Sequence, residues 1–147
     1  MSINSIFDIA GSAMTAQSLR MNTTASNLAN AQSAASSVDE VYRGRHPVFA
    51  VVQREAMGFG ESKGFDNSAN SEVGVSVLGI VESDAPLQKR YEPHHPKADD
   101  EGYVLYPNVD VVEEMANMIS ASRSFQMNVE VMNSAKQMLQ RALTIGQ

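Results

Sequence analysis

Residues 108–147 read NVDVVEEMANMISASRSFQMNVEVMNSAKQMLQRALTIGQ, and neither Gly nor Pro interrupts them between Asn108 and Ile145. A breaker-free run of that length is expected of one long helix rather than of strands. Met115, Met118, Phe125, Val129, Met132, Leu139 and Leu143 fall on alternating spacings of three and four. They draw one apolar stripe along the helix, with Ser122 and Lys136 as its polar interruptions. Asp110 followed by Glu113 resembles a capping box just after Pro107, and Gly146 supplies a stop. A second apolar line passes through Val112, Ile119, Val131, Ala135, Met138, Ala142 and Ile145. A helix that is apolar on two faces needs more than one neighbour.

The other end of the chain has the same character. No Gly or Pro occurs between Ser12 and Arg43, and Ile3, Phe7, Ala10, Met14, Met21 and Leu28 follow the same spacing, with Gln17 and Thr24 in the remaining stripe positions. At the helical rise, about 28 residues in this segment span roughly 42 Å and about 36 in the last span roughly 54 Å. Both are long beside a typical helix of about 11 or 12 residues. The chain thus divides into an N-terminal helical segment, 1–37, a middle segment, 38–107, and a C-terminal helical segment, 108–147. The middle is a different kind of polypeptide. It holds all five prolines, seven of the nine glycines, and seven basic residues against twelve acidic ones, whereas residues 1–37 carry only Asp8 and Arg20. Within it, His46 to Ala56, Val73 to Ser83 and Tyr103 to Tyr106 read as strands. Met57 to Glu72, rich in Gly, Ser and Asn, reads as a hairpin tip or loop. Pro86, Pro93, Pro96 and Pro107 keep the stretch after Glu82 extended and bar a helix there.

Composition narrows the function. The 147 residues have a net charge of −6 and a sequence pI near 4.9, against the basic patch that nucleic-acid binders use to displace counterions. There is no cysteine, which excludes disulfide scaffolds, zinc–thiolate centres and thiol catalysis. The longest apolar run, Val48 to Val52, is far too short to span a membrane. Met1 to Met14 lack Lys and Arg, and Asp8 breaks the apolar stretch, so no secretory signal is expected.

The chemistry-bearing residues do not assemble a site. Tyr91 to Glu101 contains His94, His95, Asp99 and Asp100, a combination that binds metals or moves protons elsewhere. Adjacent side chains in an extended segment point to opposite sides, and the third histidine, His46, is about fifty residues away. These residues read as a solvated loop. Asp99-Asp100-Glu101-Gly102 lacks the alternating oxygen ligands and closing Glu of a calcium loop. Gly58-Phe59-Gly60 is followed by no phosphate-binding Gly-Lys-Ser/Thr. No catalytic, cofactor-binding or metal-binding residue is assigned, and neither a cofactor nor a small-molecule substrate is expected.

The stripes themselves carry the functional reading. A middle segment of about 70 residues cannot cover two helices this long. Burial of a large apolar side chain is worth about 1.5–3 kcal/mol, so a second face of seven residues left in water is costly. In residues 1–37, 17 are Ser, Thr, Asn or Gln, which cost less to desolvate than charges and suit a surface hydrogen-bonded between molecules. The reading is a subunit whose terminal helices pack against copies of itself or relatives, through Ile3, Phe7, Met14, Met21, Leu28 and Asn30 at one end and Met115, Met118, Phe125, Val129, Met132, Leu139 and Leu143 at the other.

Several blocks give this a family context. Tyr91 to Glu101 followed by Gly102-Tyr103-Val104, then Pro107-Asn108-Val109, Glu113-Glu114-Met115 and Met118 to Phe125, together with Met132 to Met138 and Ile145-Gly146-Gln147, resemble the hallmark C-terminal region of bacterial flagellar basal-body proximal rod proteins of the FlgC type. Ala25-Ser26-Asn27-Leu28-Ala29-Asn30-Ala31 is similar to the short Ala-Asn signature of rod and hook proteins, with Ser33 where that family usually has Thr. The resemblance implies a mainly α fold with a small β-rich middle, in which the long N- and C-terminal helices pair as an antiparallel coiled coil around an inserted segment of short strands and loops. It also implies a non-catalytic building block of the periplasmic rod that transmits torque for motility, stacked helically with open ends. Export by the flagellar type III apparatus without a cleaved signal peptide follows from it too. The implied partners are the other proximal rod proteins, the distal rod protein, the basal-body export-gate adaptor protein and copies of the chain itself, with no nucleic acid and no membrane insertion. Two alternatives remain at this level: a small metal-binding or enzymatic protein using His94 and His95, and a generic secreted coiled-coil adaptor.

Overall fold

The computed structural model describes residues 3–52 and 74–145. A long helix α1 (Ile3–Asn30) is followed by strands β1 (Arg45–Val52), β2 (Gly74–Glu82), β3 (Gln88–Tyr91) and β4 (Tyr103–Tyr106), and the chain returns along a second long helix α2 (Val111–Ile145). The loop read over residues 57–72 lies outside the described residues.

Helix α1 spans 28 residues, nearly half of them small or hydroxylic, and satisfies much of its polar content internally. The hydroxyls of Ser12, Thr15 and Thr23 donate to the carbonyls of Ile9, Gly11 and Leu19 at 3.0, 3.0 and 2.9 Å. Such bonds leave a hydroxyl no cost of burial, so a helix this polar can still press a face against its neighbours. The sequence leads one to expect such side chains to hydrogen-bond between molecules; within the subunit, at least these three turn back on their own helix. At its end, Ser33 closes α1, its N–H and hydroxyl both donating to the Asn30 carbonyl at 3.0 and 2.7 Å.

Helix α2 spans 35 residues, roughly 52 Å. Asp110 caps its start, with Oδ1 accepting from the N–H groups of Val112 at 2.8 Å and Glu113 at 3.3 Å. The two helices lie side by side, and their contacts run in opposite order along the two elements. Asn27 bonds Glu114, Arg20 Nη2 bonds Asn117 Oδ1 at 2.8 Å, and Phe125 shares a groove with Gly11, Met14, Thr15, Ser18, Leu19 and Asn22.

The buried line on α2 differs from the stripe read in the sequence. Glu114, Ala121 and Ala135 are buried, with Met118, Phe125, Asn128 and Met132 partly buried between them. At alternate positions the seam is displaced by one residue from Met115, Ser122, Val129 and Lys136. Met115 is instead half exposed and Lys136 exposed. Ala can sit closest to the facing backbone, so the helix turns its small residues inward and lets the Met side chains lie along the flanks.

The strands form two separate ribbons. β1 and β2 pair antiparallel from Arg45 opposite Glu82 to Val52 opposite Gly74, with an irregularity at Val48/Phe49 that leaves Leu78 as the extra residue. The far end of this ribbon rests on α1, where the Val75 N–H donates to Ser12 Oγ at 3.2 Å. β3 and β4 pair antiparallel from Gln88 opposite Tyr106 to Tyr91 opposite Tyr103. The segment after α1 adds a single bridge to this ribbon between Ala35 and Leu105. Val41, Val104, Pro107 and Val109 are buried in β4 and in the segments that lead into β1 and α2, and Ala10, Ala16, Ala121 and Ala135 are buried along the two helices.

Candidate subunit-packing surfaces

The hydrogen bonds between distant parts of the chain concentrate where α1 ends and α2 begins. At the junction Asn27 is completely buried and uses its whole hydrogen-bonding capacity. Oδ1 accepts from the Arg45 N–H at 2.9 Å and the Tyr42 hydroxyl at 2.8 Å, while Nδ2 donates to the Arg45 carbonyl at 2.8 Å and Glu114 Oε1 at 3.1 Å. In the sequence Asn27 belongs to the Ala-Asn motif and Asn30 is the expected packing residue. Asn30 is partly buried and donates to the Ser26 carbonyl at 2.8 Å in its own helix. The signal that separates the two is three-dimensional, since Asn27 meets Arg45 and Glu114 only after folding.

The other residues read as packing positions divide by where α1 covers α2. Phe7, Met14, Met21 and Leu28 on α1 are partly buried, as are Met118, Phe125, Val129 and Met132 on α2. The Ile3 side chain lies outside those described. Leu139 and Leu143 are exposed, and every described side chain from Lys136 to Thr144 is exposed as well. The longer helix therefore extends past the start of the shorter one. Along the outward side of α2, Val112 is 76% exposed and Met127 66%, with Met115, Ile119, Val131 and Met138 exposed between and beyond them. Of the second apolar line read from the sequence, only Ala135 among the described side chains is buried. A strip of large apolar side chains this long is unusual on a free surface.

The connection between β3 and β4 carries His94 and His95, whereas His46 lies on β1. His94 is exposed, and His95 Nδ1 accepts from the Lys97 N–H at 3.1 Å inside a chain of turns that Asp99 closes by accepting from the N–H groups of Glu101 and Tyr103. Among the described residues no group of three His, Asp or Glu side chains is placed to hold a metal ion. An open groove of about 660 Å³ lies beside the end of α1, lined among others by Asp39, Glu40, Tyr42, Arg43, Arg45 and Lys97. Its cations are already engaged. Arg45 pairs with Glu82 at 2.9 Å and lies over the Tyr42 ring, and Lys97 Nζ donates to the Ala34 carbonyl at 2.8 Å. These groups stabilise the junction and converge on no common point where a substrate atom could react.

Comparison with known proteins agrees with a packing role. Residues 7–32 match the flagella basal body rod protein family, and residues 100–145 match the C-terminal family of flagellar basal body rod FlgEFG proteins. These are the two segments that form α1 and the β4–α2 unit. Over all 147 residues of both chains, the sequence is 48% identical to the flagellar basal-body rod protein FlgC of Escherichia coli and 47% identical to that of Salmonella typhimurium. It is 37% identical to the Bacillus subtilis FlgC over 95% of each chain. With likeness of this degree from end to end, the chain belongs to the FlgC family of flagellar basal-body rod proteins.

Proposed function

We propose that this chain is a non-catalytic subunit of the proximal rod, built helically into the axis of the basal body and passing torque through the periplasm. The observation that carries the reading is the exposed apolar strip of α2, from Val112 to Met138, on a chain whose full-length relatives are rod proteins. α1 and α2 act as an antiparallel coiled-coil core: their opposed contacts at Asn27–Glu114 and Arg20–Asn117 support that pairing. The outward strip and the overhang at Leu139 and Leu143 then meet copies of the chain and the other proximal and distal rod proteins, with the export-gate adaptor protein as the neighbour at the base. Unlike surfaces meeting head to tail leave the assembly open-ended. The subunit leaves the cytoplasm through the flagellar export apparatus without a cleaved signal.

The test is a photo-crosslinking amino acid placed at Ile119 or Met127 in cells that assemble flagella. Isolated basal bodies should yield crosslinks from both positions to rod proteins, identified by mass spectrometry, whereas a label at exposed Asn4 at the other end of the pair yields a different set. Crosslinks from Ile119 and Met127 to soluble cytoplasmic proteins alone contradict the assignment.

A further inference from the structure

We propose that two side-chain amides, Asn27 on α1 and Asn108 just ahead of α2, form the joint that fixes the angle of the β1–β2 ribbon to the helix pair. Asn27 holds both backbone groups of Arg45, the first residue of β1, much as a neighbouring strand would. Its other two bonds, to Glu114 and Tyr42, tie that grip to α2 and to the approach of β1. Asn108 holds the neighbouring residues. Oδ1 accepts from the Gly44 N–H at 2.8 Å, and Nδ2 donates to the carbonyls of Ser83 at 3.1 Å and Ala85 at 2.9 Å. The residue before β1, the first residue of β1 and the exit from β2 are thus all held by amides that belong to the helical part of the chain. The Ser83 N–H, donating to the Gly44 carbonyl at 2.7 Å, closes the base between them.

The far end of the ribbon meets α1, where Val75 and Val77 are half buried and Ser12 accepts from the Val75 N–H, but the half of the ribbon that the amides hold is mostly exposed. Along the ribbon Val51 is 77% exposed and Leu78 70%, with Ile80 and Val81 exposed as well. Apolar contact is non-directional, and a two-stranded ribbon is marginal without support. A buried amide with every donor and acceptor engaged is directional, and it tolerates no close substitute. Asp at position 27 loses the donor and sets a second carboxylate beside Glu114, and Gln is one methylene too long. The proposal concerns the isolated subunit and stands or falls independently of the rod assignment.

The chain has no cysteine, so spin labels at Val51→Cys on the ribbon and Gln126→Cys on α2 report on the full-length protein without background. Pulsed dipolar spectroscopy should give one narrow distance distribution for this labelled parent. Asn27→Asp/Asn108→Ala should broaden it at least twofold at neutral pH while far-ultraviolet circular dichroism retains the helical signal. Asn27→Asp/Glu114→Gln should stay broader than the parent, because the Gln amide meets one oxygen of the new carboxylate while the Arg45 carbonyl still faces that carboxylate without a donor. If the double variant loses its helices, the single variants decide, each broadening the distribution by less. A folded double variant, or folded single variants, with a distribution as narrow as the parent overturns the joint. A folded Asn27→Asp/Glu114→Gln variant with a distribution as narrow as the parent's removes Asn27 from it.

Discussion

Gly102 is buried at φ +83°, between the turn that follows His95 and the start of β4, and its N–H donates to the Asp99 carbonyl at 2.9 Å. A Cβ there would lie 3.0 Å from the Tyr91 ring and 3.2 Å from Pro93. Gly102→Ala combines left-handed strain with that crowding and is expected to cost about 1–2 kcal/mol, read as a shift of the denaturant midpoint. Gly74 is constrained differently: a Cβ on it would run into the Ser12 hydroxyl that receives the Val75 N–H. Gly74→Ala should therefore lower the melting temperature, and Ser12→Gly should restore part of the loss. Tyr106 is partly buried and donates to Glu92 Oε2 at 3.1 Å; burial first, then the Glu92 carboxylate, raises its pKa above the usual 10.0. A raised folded-state value means that the neutral phenol contributes stability fully below pH of about 10 and that this contribution is lost as pH rises through the folded value. Tyr106→Phe should flatten that alkaline fall in an otherwise matched pH series of melts. The Asp110 cap was legible in the sequence because a helix start is a local pattern. The role of Asn27 was not, because three of its four bonds cross to Tyr42 and Arg45 and the fourth crosses to Glu114, 87 residues away.

At the scale of elements, both helices were legible within a residue or two of their lengths, since runs without Gly or Pro and with apolar spacing of three and four have few other solutions. The seam was less legible. Hydrophobicity marks Met115 as a seam position, yet the buried line takes Glu114 and Ala121, because side-chain size sets how closely two helices approach and the Asn27 amide meets one Glu114 oxygen. Ala121→Leu should accordingly cost about 1–3 kcal/mol by overpacking, whereas Ser120→Leu on the exposed side changes stability by less than about 0.5 kcal/mol; chemical denaturation of the two variants separates them. Strand β3 has four exposed residues, Gln-Lys-Arg-Tyr, with no apolar alternation. Only its pairing with β4 makes it a strand, together with Arg90 lying 4.7 Å over the Tyr106 ring, so the sequence reading gave no more than an extended segment there.

For the whole molecule, the tight junction at one end and the exposed helix at the other separate folding from assembly. Phe125 sits in the groove between α1 and α2, so Phe125→Asp should unfold the pair and lose the helical signal outright. Leu139 lies where α2 has passed α1, so Leu139→Asp should keep the monomer's circular dichroism and melting temperature within error while abolishing motility when it replaces the native chain. Loss of fold in both variants, or of motility in neither, would remove the distinction. The central claim, a subunit without which the rod is not built, is tested most directly by deleting the gene in a flagellated host and imaging the cell envelope by electron cryotomography. The account predicts basal bodies arrested without a complete rod and no external filaments, restored by the native chain; intact rods and swimming cells in the deletion strain would contradict it.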